Sequence, residues 1–175
     1  MSSLKDLFLE IQEHIQRHVP EVTWIDQDLG QLEHYDTRPA VSFPCVLIDF
    51  DTVQNQMEGG LSVWSTITIQ IRLAFSPFSS ANSIAPDISK ENALAFYDIE
   101  QKLFKFLHGW MPLDDTDQSP MTQPFTWIQS NSERRTDPIR VRVMLFNTAT
   151  EDNTAMKDYT KLQPGLVINA TIGSD

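Results

Sequence analysis

At 175 residues the chain has single-domain length and is long enough to enclose a core. Its 24 acids against 13 bases leave a formal net charge of −11, which argues against a protein that grips phosphates through Lys and Arg. One cysteine, Cys45, excludes an intrachain disulfide; in the apolar run FPCVLIDF it reads as a small buried hydrophobe rather than a catalytic thiol.

The N-terminal MSSLKDLFLEIQ carries acids and no long apolar run, so it does not read as a signal peptide. Nothing in the chain approaches the ~20 apolar residues of a membrane span, and a cytoplasmic protein is expected. Leu4, Leu7, Phe8, Ile11, Ile15 and Val19 recur at helical spacing, with Ser3 as N-cap and Pro20 as the stop. His14 and His18 lie four apart near Glu10 and Glu21. No third strong ligand is evident, so these residues read as a solvated face and not as a metal site.

Val22–Ile25 reads as a short strand, and the polar stretch Gln27–Ala40 as a long surface loop. Within it Glu33, His34, Tyr35 and Asp36 cluster. Such a group can do acid–base work, but no nucleophile or phosphate loop accompanies it. Phe43–Phe50 is a nearly continuous apolar strand, with Pro44 tolerated near its start. Gly59-Gly60 then turns the chain into Leu61–Phe75, the longest alternating stretch. Leu61, Val63, Ile67, Ile69, Ile71, Leu73 and Phe75 share one parity; Ser62, Thr66, Thr68, Gln70 and Arg72 share the other. The expectation is a large hairpin with one buried face and a polar outer part that protrudes.

Ser76–Pro86 is a loop. Ser89 caps a second helix over about Lys90–His108, ended by Gly109. Phe96, Ile99, Leu103, Phe106 and Trp110 form its core stripe, widened by Phe104 and Leu107. Asp114, Asp115 and Asp117 lie in the next polar loop, which lacks the glycine and terminal Glu of a calcium-binding loop. Phe125–Asn131 and Ile139–Phe146 read as a closing hairpin. Ile139, Val141, Val143 and Leu145 face one way, and Arg140 and Arg142 the other, with Arg72 as their neighbour. Three arginines there would suit a phosphate or carboxylate; with this acidic excess, pairing with acids of this chain or of a neighbouring copy is the preferred reading.

After a polar stretch comes Leu166–Ile172, LVINATI, either an edge strand of its own sheet or an arm on the sheet edge of another subunit. Asn169-Ala170-Thr171 matches a glycosylation acceptor that is idle without a signal sequence. Residues 1–150 thus read as one α+β domain, and 151–175 as an extension. The fold class is an antiparallel or mixed sheet with a long hairpin and two helices on one face, in α-β-β-α-β-β order. No catalytic residue, cofactor or metal ligand is assigned. Leu166, Ile168, Ile172, Arg72, Arg140 and Arg142 are the candidate subunit-interface residues.

The N-terminal helix, the Phe43-Pro44-Cys45-Val46-Leu47-Ile48 strand after a Pro-containing loop, the long alternating strand, the aromatic helix and the closing hairpin together resemble the tail terminator, or tail-completion, proteins of long-tailed bacteriophages. The resemblance covers Leu4 to Thr150. It implies a structural protein that forms a ring, usually of six copies, on the head-proximal end of the tail tube. Such a ring stops tube polymerisation and meets the head connector. The implied partners are the chain itself, the tail tube protein and the connector protein, with DNA passing nearby and not specifically bound, and with no membrane. The implied location is the host cytoplasm during assembly and then the virion tail. Two other classes stay open: a small-molecule-binding or enzymatic α+β domain using the His34/Asp36 loop or the arginine face, and an adaptor in a tail-like secretion apparatus.

Overall fold

The computed structural model describes residues 4–34, 40–58, 62–76, 80–114 and 117–152. They form α1 (Leu4–His18), β1 (Trp24–Gln27), β2 (Cys45–Glu58), β3 (Ser62–Phe75), α2 (Asp87–Leu107), β4 (Thr126–Glu133) and β5 (Arg140–Asp152). The sheet has the order β1-β2-β3-β5-β4. It is mixed: β1 runs parallel to β2, and every other neighbouring pair is antiparallel. The fold is α+β with both helices on one face, as the periodicities predict.

That face carries the main core. Leu7, Ile11 and Ile15 of α1 and Phe96, Ile99, Leu103 and Leu107 of α2 close on Val46, Ile48, Ile67, Ile69, Ile71, Leu73, Met144 and Phe146. Each fully buried Leu or Ile contributes about 1.5–3 kcal/mol. Spacings of three and four bring the helix residues to one side, and odd parity does the same for β3. Gln12 Nε2 donates to the Ile25 carbonyl at 2.9 Å, tying α1 to β1. α2 starts earlier than Ser89 suggests: Pro86 is the N-cap position, with no side-chain cap, and Asp87 puts negative charge in the first turn.

The sheet is not one-sided. Leu32, Cys45, Leu47, Ala74 and Val141 form a second buried cluster on its other face, with Trp24, Val41, Phe43, Ile139 and Val143 packed against it. The stretch read as a polar surface loop supplies part of this cover. Asp28 Oδ1 accepts the Gly30 amide at 3.0 Å, and Gly30 has φ 78°, where a side chain would be strained. The turn carries Leu32 inward, and Gln31, also buried, donates to the Gln27 carbonyl at 2.8 Å.

β2 does not stop at Phe50. It continues through the polar residues to Glu58, with an irregularity between Phe50 and Thr52, still paired with β3. At ~3.3 Å per residue the 14-residue strands β2 and β3 run roughly 45 Å. Residues 51 and 53–56 of β2 are exposed while paired with β3, as the polar composition of 51–56 predicts, whereas Thr148 and Thr150 of β5 are buried.

Candidate functional site

The arginine of an apolar strand is the strongest chemical signal in the structure. Even parity sends Arg72 of β3 to the face away from the helices, between Leu47 of β2 and Val143 of β5. It is 9% exposed. Its guanidinium meets Asp28 at 2.8 Å, Glu33 at 2.5 Å and Glu133 at 2.9 Å. Arg135, from the β4–β5 turn, shares Glu33 and Glu133 at 2.9 Å each, holds Asp137 at 2.7 Å and donates to the Leu32 carbonyl at 2.5 Å. Two guanidiniums among four carboxylates thus stitch the 28–33 loop, β3 and the end of β4 together. Hydrogen bonding to Arg72, then to Arg135, holds the Glu33 carboxyl below its ordinary range despite partial burial. Burial opposes charge on Arg72, but Glu33 and Asp28 outweigh it and raise its pKa.

Arg140 and Arg142 are not neighbours of Arg72; that expectation is corrected. They pair in register with Phe75 and Leu73, so they lie on the helix face while Arg72 lies on the other. Arg142 Nε donates to Glu100 of α2 at 2.7 Å and its Nη1 to Ser132 at 2.8 Å. Arg140 donates to the Tyr97 hydroxyl at 2.9 Å, with its guanidinium 5.0 Å from the Phe96 ring centre. Arg72 and Arg142 are thus paired with acids of this chain, and no shared arginine face remains to receive a phosphate.

The histidine pair is not a solvated face either. His14 is half-buried, stacked on Trp110 with ring centres 4.0 Å apart, and its Nε2 lies 2.9 Å from the Phe106 carbonyl. Desolvation lowers its pKa below the ordinary histidine value. His18 Nδ1 bonds to the His14 carbonyl at 2.9 Å. His34 is exposed; Tyr35 and Asp36 lie outside the described residues, as do Asp115, Leu166, Ile168 and Ile172. Asp117 accepts the Ser119 amide at 2.9 Å within its own turn. Among the described residues no three His, Cys, Asp or Glu side chains could hold a metal ion. Burial raises the Cys45 thiol to about 12, where it has no nucleophilic form at neutral pH.

The sheet edges are the second feature. Among the described residues β4 pairs on one side only, with β5, and Trp127 is 40% and Ile128 45% exposed. Phe104 is not core, as its place near the α2 stripe suggested. It lies exposed on the flank of α2, edge-on to Trp127 at 5.5 Å. Tyr97, Phe104, Trp127 and Met144 line an apolar groove between α2 and β4, rimmed by Glu100 and Arg142. At the opposite edge β1 pairs with Cys45–Ile48 of β2, and among the described residues the polar outer half of β2 pairs only with β3. Sequence reasoning missed Arg135, Glu133 and the groove. The one available signal was a charged residue, Arg72, inside an otherwise apolar strand end.

No family model and no curated protein matches this chain. Among solved structures, a chain from the virion of a native gene transfer agent particle is similar at 10% sequence identity and a TM-score of 0.52. The similarity covers 83% of this chain and 95% of that one. At this identity the likeness shows a shared fold.

Proposed function

We propose that this protein is a structural component of a phage-like particle. Its role is to close the head-proximal end of a tail tube as a ring and to present a surface to the head connector. The observation that carries the reading is the fold shared, over 83% of this chain and 95% of the other, with a chain of a gene transfer agent virion. The sequence pattern from Leu4 to Thr150, read independently as tail-terminator-like, supports the same class.

The architecture suits assembly better than chemistry. Among the described residues β4 and outer β2 each pair on one side only, at opposite sides of the sheet, so copies can join head to tail and close into a ring. The exposed outer residues of β2, paired with β3, would give each copy a polar surface toward a second component. The acidic excess would repel DNA passing through such a ring rather than hold it.

The test is purification of the full chain, alone and with tail tube protein, followed by negative-stain microscopy and sedimentation. The expected result is a closed ring seated on one end of tubes of uniform length. Tubes that grow to uncontrolled length with the protein in excess, and no ring at any concentration, would refute it.

A further inference from the structure

We infer that the 28–33 loop is a clasp: it opens as one unit, hinged at the end of β1, and uncovers the Cys45 cluster while the helix-faced core stays folded. The inference stands apart from the ring reading.

The loop is tied within itself. The Gly30 amide donates to Asp28 Oδ1 at 3.0 Å and the Leu29 amide to Gln31 Oε1 at 2.7 Å. The Glu33 and His34 amides donate to the Gly30 carbonyl at 3.2 and 3.0 Å. These bonds move with the loop and survive its opening. Its ladder contact with β2 ends at the Asp28 amide, which donates to the Ile48 carbonyl at 2.9 Å. Beyond that point, among the described residues, it is fastened to the sheet by one buried apolar side chain, Leu32, and by two guanidiniums, Arg72 and Arg135.

The charges are divided so that opening orphans neither arginine. Asp28 and Glu33 belong to the loop, whereas Glu133 and Asp137 belong to β4 and the turn after it. When the loop leaves, Arg72 keeps Glu133, and Arg135 keeps Glu133 and Asp137. Asp28 and Glu33 pass into water, which solvates a carboxylate well and offsets the lost pairs. Leu32 is the large apolar side chain that the loop withdraws, against the many that hold α1 and α2 to the other face. Such an opening costs far less than unfolding of the domain. Leu32 shares its cluster with Cys45, so its departure opens a path to the thiol.

The experiment times the labelling of Cys45, the chain's single cysteine, by a thiol reagent in the full chain across a urea series at fixed pH. The expected result is a slow rate that hardly changes at low urea, because a local opening exposes little surface, followed by a steep rise that tracks global unfolding. Leu32→Ala and Glu33→Gln should each raise the flat limb at least several-fold. Leu103→Ala, in the core on the opposite face, should bring the steep limb to lower urea and leave the flat limb in place. Labelling that follows global unfolding at every urea concentration would overturn the clasp. So would a flat limb that Gln12→Ala, which loosens α1 from β1, raises as much as Glu33→Gln does, because the moving part would then be β1.

Discussion

Replacing Arg72 by Met tests whether its ion pairs hold the second face of the sheet closed. The substitution keeps the aliphatic volume beside Leu47 and Val143 and removes the charge. Asp28, whose side chain is only 10% exposed, then loses its guanidinium partner and keeps the Gly30 amide. Glu33 and Glu133 fare better, because Arg135 still meets both. Leaving one buried carboxylate without its cation costs about 3–5 kcal/mol, a large share of the ~5–15 kcal/mol that holds a domain folded. Asp28→Asn alone should cost about 1–2 kcal/mol, since Arg72 keeps two acids. The double variant should fall short of the summed losses by about 2–3 kcal/mol. Urea denaturation with a common slope, followed by fluorescence of the four tryptophans, measures all three. A second readout is pH. Glu33 has a depressed folded pKa, so its contribution is present above the ordinary carboxylate value and disappears as pH falls through the folded one. Arg72→Met should flatten that acid limb. A loss under ~1 kcal/mol, the level of an exposed pair, together with no coupling to Asp28, would show that the network is solvated and the reasoning wrong.

Ile69→Ala and Leu103→Ala, in the core between β3 and α2, should each cost about 2–5 kcal/mol, whereas Thr68→Ala should cost about 1 kcal/mol for its lost bond to Asn147; equal losses in denaturant would refute the packing. Cys45 should resist a thiol reagent at pH 8 in the native protein and react at once in denaturant, because burial lifts its pKa to about 12; rapid native labelling would mean the second face is open. His14 has a lowered pKa, so its contribution to stability is whole above about 6.5 and is lost as pH falls through the folded value. Its ring resonances should titrate below that of an ordinary histidine, and a titration above 6.5 would contradict its place against Trp110.

Period and composition were enough for the elements and the main core. The apolar stripes of α1 and α2 and the odd positions of β3 are local patterns, and burying them against one another admits few arrangements. The exposure of outer β2 was also legible, since a polar stretch beside a β-branched strand has no core to enter. The second face was not. A loop rich in polar residues looks solvated until one knows that Asp28 and Glu33 reach an arginine on β3, 44 and 39 positions away in the chain. The grouping of Arg72 with Arg140 and Arg142 failed for a related reason. Alternation assigns faces within one strand, but the register between β3 and β5 decides whether two strands' arginines share a face, and it sets Arg72 against Val143. Phe104 and Trp127 show the same limit from the exposed side. Their apolarity predicts burial, yet they meet edge-on where α2 passes beside β4, the last strand of the described sheet, so only the tertiary arrangement could reveal that these rings line a groove.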